Sequence, residues 1–193
     1  MMQKKRPAAL ALALLLACCL AGCAAEPAGA DEQFPQFEFT HYTSGGSTET
    51  YPAVILFEES NSTFTCYQVA FLSCTCRDSL VNYYSVCYVE LLNNKPSADL
   101  ATIRAISFGD NMGLYGDSNP NYYKHEFTEE YMDEHFVQAL VGVAQSDFDT
   151  WQGYGSQLQQ VDADAVAGAS VTTGNVTSML KSLFKYHAAK YYA

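Results

Sequence analysis

The C-terminal stretch constrains this chain most. Val176, Met179, Leu180, Leu183, Phe184, His187 and Tyr191 recur at three- and four-residue steps, which places them on one face of a helix. Lys181, Lys185 and Lys190 fall toward its C-terminal half, where cations suit the helix dipole. This spacing starts the helix near Thr173. A lone helix draws most of its stability from tertiary packing of its apolar face, so the rest of the chain must supply a surface for it.

The upstream sequence offers a sheet. Phe37 to Tyr42 alternates and reads as an opening edge strand. Thr43 to Thr50 is a Gly/Ser/Thr loop, Tyr51 to Phe57 is apolar and β-branched, and Glu58 to Ser62 reads as a hairpin turn. Thr63 to Leu72 returns as a strand, Arg77 to Asn82 turns, and Tyr83 to Leu92 is a further strand. Leu100 to Phe108 adds one more, with a start that also suits a short helix. These runs give three to five strands, and their short joins make them mostly antiparallel. The expected class is therefore α+β, a small mostly antiparallel sheet with a long C-terminal helix packed on it. Between sheet and helix, Gly109 to His125 is a long polar loop. Thr128 with Glu129 and Glu130 then starts a helix that Gly142 stops, and Ser146 to Asp149 suits a short helix or turn.

The N-terminus sets the compartment. Lys4, Lys5 and Arg6 precede an apolar run from Ala8 to Ala21 that ends in Leu20-Ala21-Gly22-Cys23. That is the layout of an export signal, and its end resembles the lipobox of bacterial lipoproteins. The resemblance implies a signal peptide over residues 1–22, removed at Cys23. The Cys23 thiol would carry a diacylglycerol (palmitate-type) anchor in the bilayer, facing outside the cytoplasm. Residues 23–36, acidic and proline-punctuated, read as anchor and tether, and residues 37–193 as one domain. Without the leader, seven basic residues face twenty-one acidic ones, a formal charge of seven minus twenty-one, −14. Nucleic acid and anionic lipid surfaces are poor partners for such a chain.

Just ahead of the periodic helix, small and hydroxyl-bearing residues run from Ala163 to Thr173. Ala165, Ala167, Gly168 and Ala169 leave room for close approach to the backbone. Ser170, Thr172 and Thr173 set three hydroxyls beside the expected helix start. Such an arrangement suits either a capped helix or an anion-binding turn.

Asp164-Ala165-Val166-Ala167-Gly168-Ala169-Ser170, followed by Val171-Thr172, resembles the flavinylation motif of the FMN-binding domain family. That family includes FMN-bearing subunits of Rnf and Na⁺-translocating NADH:quinone reductase complexes. The resemblance covers roughly Val161 to the C-terminus. In the family, an FAD:protein FMN transferase joins the phosphate of FMN to the last hydroxyl of the motif through a phosphodiester. Carried over, that acceptor is Ser170, with Gly168, Ala169 and Asp164 matching. Ala167 stands where the family has a hydroxyl residue, and Ser170 stands where Thr is usual. The resemblance implies an extracytoplasmic electron carrier with FMN, a membrane redox donor and an extracytoplasmic acceptor. The chain would be a substrate of the transferase rather than a catalyst with a substrate of its own. Thr172, with Thr173 beside it, would help hold phosphate charge at the helix N-terminus.

Four cysteines remain past the leader: Cys66, Cys74, Cys76 and Cys87. In an exported chain they read as two disulfides, Cys74 and Cys76 each pairing with Cys66 or Cys87, or as a four-thiolate metal or iron–sulfur site. Of the histidines, His135 and His187 sit on apparent helix faces and suit packing, whereas His41 and His125 lie near loops and suit a surface position or the lining of a pocket. Tyr83, Tyr84, Tyr115, Tyr122 and Tyr123 are candidates for stacking on a flavin. No HExxH pair, Ser-His-Asp order or P-loop is present. Two other functions fit the same residues: a ligand-binding lipoprotein of this fold without flavin, and a cysteine-based metal or thiol redox protein.

Overall fold

Period-two alternation in the strand-forming runs becomes one buried and one open face of a sheet. In the computed structural model, which describes residues 34–78, 81–109 and 127–193, five strands lie in the order β1 to β5. They are β1 (Gln36–Tyr42), β2 (Thr48–Ser60), β3 (Phe64–Asp78), β4 (Val81–Leu92) and β5 (Ile103–Phe108). All neighbours are antiparallel and consecutive. Phe39 pairs with Tyr51, Ile55 with Val69, Val69 with Cys87, and Val89 with Ile106, so Phe39, Ile55, Val69, Cys87, Val89 and Ile106 form one buried face.

The helices follow in chain order. Thr128 caps α1 (Glu129–Met132), accepting a hydrogen bond from the Tyr131 amide at 3.2 Å. The coil continues through a π turn, Asp133–Val137, and a 3-10 turn, Gln138–Leu140. Gly142, at φ 86°, ends it. Then come α2 (Gln145–Thr150), α3 (Ala163–Gly168) and α4 (Ser170–Tyr191). The long helix α4 packs on β1 and β3, burying Leu180, Leu183 and Phe184 against the sheet. The class is α+β, and the long C-terminal helix packs on the antiparallel sheet as its stripe required. No helix among the described residues is long and apolar enough to cross a membrane.

Several boundaries move. Gln36, assigned above to the tether, already belongs to β1, and the Pro35 carbonyl accepts from the Ile55 amide at 2.8 Å. Glu58 to Ser60 are strand rather than turn. A bulge between Ile55 and Phe57 sets Glu58 opposite the buried Tyr67, and α4 then binds its carboxylate. The turn itself is made by Asn61, whose side-chain oxygen accepts from the amides of Thr63 and Phe64. β3 and β4 run through Arg77 to Asp78 and from Val81, where a longer turn was expected. The signal peptide, the lipobox with Cys23 and most of the tether lie outside the described residues. So do residues 110–126, with Tyr115, Tyr122, Tyr123 and His125, and the side chains of Cys76 and Tyr83.

Candidate functional site

The motif residues meet at a break between two helices. Asp162 caps α3, its side chain accepting from the Asp164 amide at 2.7 Å, and Asp164 itself is exposed on the first turn. Ala169, at φ −133° and ψ 38°, interrupts the coil, and α4 starts at Ser170. Gly168 is required by its neighbour: the Phe127 ring lies against its Cα so closely that any Cβ would overlap it. The small residues therefore seat one aromatic ring and turn the chain into the long helix.

The helix thus begins three residues before Thr173, and the hydroxyls separate. Thr172 and Thr173 are 4% and 1% exposed, whereas Ser170 is only half-buried. The Thr173 hydroxyl donates to the Ala169 carbonyl at 3.1 Å and the Thr177 hydroxyl to the Thr173 carbonyl at 2.8 Å. Those side-chain bonds to the preceding turn let β-branched polar residues sit inside a helix. Thr172 and Thr173, expected to help hold phosphate charge at the helix N-terminus, are instead enclosed within it. Apolar periodicity begins at Val176, and it gives no sign of a helical turn buried through small and hydroxyl residues.

Three residues that sequence reasoning passed over shape the surroundings. Tyr154 places its hydroxyl 3.2 Å from Ser170 Oγ. It comes from the connector after α2, where Gly153 and Gly155 take φ 100° and 74° and so aim the intervening tyrosine back at the helix. Asn175, wholly buried, accepts from the Tyr42 amide at 2.6 Å and donates to the Tyr42 and Ser73 carbonyls at 3.0 and 2.9 Å. An amide in mid-helix next to an apolar stripe was the available signal for it. Trp151 stands edge-on to Tyr42, with ring centroids 6.0 Å apart, and Tyr42 lies 5.8 Å from the Tyr154 ring. Ser170 therefore stands at the head of a short aromatic row, Tyr154, Tyr42 and Trp151.

Beside this row runs a groove between β1 and α4. A hollow of about 210 Å³ is lined by Thr40, Tyr42, Trp151, Ser178, Lys181 and Lys185, among others. It adjoins a second of about 510 Å³ that shares Thr40, Ser182 and Lys185 and reaches Phe37 and Tyr186.

The other candidates lie elsewhere. Cys66 and Cys87 are free thiols. Cys66 pairs across the ladder with Glu90 and Cys87 with Val69, so strand alternation puts these two thiols on opposite sheet faces. Burial pushes the Cys87 thiol well above its usual range, which disfavours a thiolate ligand. Among the described residues no group of three His, Cys, Asp or Glu side chains is placed to hold a metal ion. Cys66 Sγ instead meets the Tyr88 hydroxyl at 3.5 Å and the Glu90 carboxylate at 3.8 Å. Arg104 pairs with Glu90 and covers the Phe64 ring at 4.5 Å. Tyr84, 63% exposed, alternates with buried Ser85 and does not face the motif's helix.

His41, expected at the surface or lining a pocket, is fully buried, with neither ring nitrogen partnered among the described residues and Tyr51 5.0 Å away. Burial lowers its pKa, against an opposing pull from Glu49. His187 is a packing residue, as its helix face indicated: its Nδ1 meets the Tyr67 hydroxyl at 2.8 Å. His135 is stacked on Tyr131 at 4.3 Å and stands 3.5 Å from Asp162. No protein-family model, curated protein or solved structure matches the chain.

Proposed function

We propose that the chain is a lipid-anchored extracytoplasmic electron carrier whose FMN is joined through its phosphate to Ser170. The observation that carries this reading is the separation of the three hydroxyls. Ser170 is half-open at the first residue of a long helix, whereas Thr172 and Thr173 are enclosed. A transferase acting on this motif would find one hydroxyl within reach. The positive end of the helix dipole favours a phosphate there, and the Tyr154 hydroxyl is placed to donate to an oxygen at Ser170. The residues fit the group: an accessible acceptor, aromatic side chains beside it and an exposed Asp164 for contact with the transferase.

When bound, FMN supplies one- and two-electron chemistry. This chain's residues supply attachment and packing. Its donor would be a redox partner in the membrane and its acceptor would lie outside, with Cys23 holding the protein to the bilayer. Attachment forms an Oγ–P bond at Ser170, breaks the pyrophosphate of FAD, releases AMP and frees the hydroxyl proton. A second reading, a ligand-binding lipoprotein without flavin, is favoured by the groove between β1 and α4.

The test is peptide mass of the mature protein made together with an active FMN transferase. The expected gain is one FMN less one water, lost in Ser170→Ala and kept in Thr172→Ala and Thr173→Ala. No gain in the wild type beside a flavinylated control substrate would overturn the reading.

A further inference from the structure

We propose that the groove between β1 and the middle of α4 binds a small organic anion with a flat, unsaturated body. The helix carries a tandem Ser-x-x-Lys, Ser178 to Lys181 and Ser182 to Lys185. All four side chains line the same hollow of about 210 Å³. Side chains four apart on a helix are neighbours, so the two ammonium groups repel each other unless an anion lies between them.

Among the described residues neither lysine forms an ion pair, although Glu38 lines the adjoining hollow that Lys185 also borders. Lys190 and Arg104 each hold a carboxylate, Glu58 and Glu90 respectively. Lys181 donates only to the Asp149 carbonyl, at 3.3 Å, and Lys185 is exposed with no ion pair among the described residues. In a chain with twenty-one acids and ten bases, two lysines without carboxylate partners facing one hollow stand out. The hydroxyls of Thr40, Ser178 and Ser182 add donors for the oxygens of an anionic head.

The far wall sets the shape of the ligand. The Trp151 and Tyr42 rings meet edge to face, 89° apart, and with Trp151 largely buried they give the mostly polar hollow a narrow apolar edge for a planar body. The Trp151 indole N–H already donates to the Ser156 carbonyl at 3.0 Å, so the ring contributes packing and not a further polar contact. The chain's overall acidity repels bulk anions. Selection therefore rests on these local contacts, and a small ligand reaches them more readily than a large polyanion. The site lies farther along α4 than Ser170, against Tyr42 and Trp151 of the same aromatic row, so it is tested on the chain without flavin.

Trp151 is the only tryptophan in the chain, so its fluorescence reports on this groove alone. The experiment uses the full chain in detergent, carrying Ser170→Ala to remove any flavin signal. It is titrated with 4-nitrobenzoate, with the neutral 4-nitrobenzamide and with inorganic phosphate. Saturable quenching by 4-nitrobenzoate is expected, at least about tenfold tighter than by the amide, since charge-assisted hydrogen bonds are about twice as strong as neutral ones. Phosphate should compete with it. Lys181→Gln and Lys185→Gln should each weaken 4-nitrobenzoate about five- to tenfold and leave the amide unchanged. Absence of saturable quenching, equal binding of acid and amide, or indifference to both lysine changes would each overturn the proposal.

Discussion

The two ends of α4 are held in opposite ways. From Val171 to Leu180 every residue is buried, among them Thr172, Thr173, Asn175, Thr177 and Ser178. Each polar group there for which a bond has been described uses short bonds to backbone carbonyls or amides. Toward Tyr191 the helix is half exposed and held by one carboxylate. Glu58 accepts from Lys190 at 2.8 Å, Tyr186 at 3.1 Å and Tyr191 at 2.7 Å. The first end tolerates no change of shape, whereas the second is an electrostatic clamp that solvent and pH can reach. The proposed flavin attachment lies at the rigid end, where a fixed acceptor serves a modifying enzyme.

The comparison is broken most severely at Asn175. Asn175→Ala leaves the Tyr42 amide and two carbonyls without partners in the interior, which should cost about 3 kcal/mol, read as a fall in the urea midpoint. Asn175→Asp should be worse, because it turns a carboxylate toward the Tyr42 and Ser73 carbonyls. Gly168→Ala comes next, at about 2 kcal/mol from overpacking on the Phe127 ring. In a Phe127→Leu background the same change should cost clearly less, and equal costs in both would refute the contact.

The histidines give the comparison a pH dependence. Burial lowers the His187 pKa to about 4 from the usual 6.5, with Glu58 pulling the other way. The unfolded chain therefore binds a proton that the fold refuses. Stability should be complete above pH 6.5 and fall as pH drops from 6.5 toward 4. Urea midpoints across that window should show a shallower slope in His187→Gln, with the remainder belonging to His41, whose pKa burial also lowers.

At the clamp, burial would raise the Glu58 pKa, but hydrogen bonds from Lys190, Tyr191 and Tyr186 outweigh it and the net direction is down. Its contribution is present above pH 4.5 and is lost below that value. Glu58→Gln should cost only about 1 kcal/mol, since Lys190 is half exposed to solvent. The smallest effect belongs to Lys185→Gln, within about 0.5 kcal/mol in stability. It should nonetheless change binding in the groove, and a large stability loss would make Lys185 a structural residue instead.

Much of this layout was legible beforehand. Alternation marked β1, Tyr and Val content marked β4, Thr128 marked a helix start, and the stripe from Val176 to Tyr191 required a long helix on a sheet. Those signals are local, set by periods of two and 3.6 and by the needs of unpaired helix amides. The site was legible only in part. Ser170, Gly168 and Ala169 stood out by residue type, but Tyr154 reaches Ser170 from sixteen positions away, and Phe127 reaches Gly168 from farther still.

By itself, then, the sequence determined the element types, the α+β class and a segment of small and hydroxyl residues before the final helix. Tertiary structure decided which of Ser170, Thr172 and Thr173 remains open. It also decided that Glu58 belongs to a strand and that Lys181 and Lys185 share a hollow with Trp151. Propensity and periodicity act over one or two turns of chain. Exposure, ion pairing and groove shape depend on what packs from the far side of the fold, which no local pattern records.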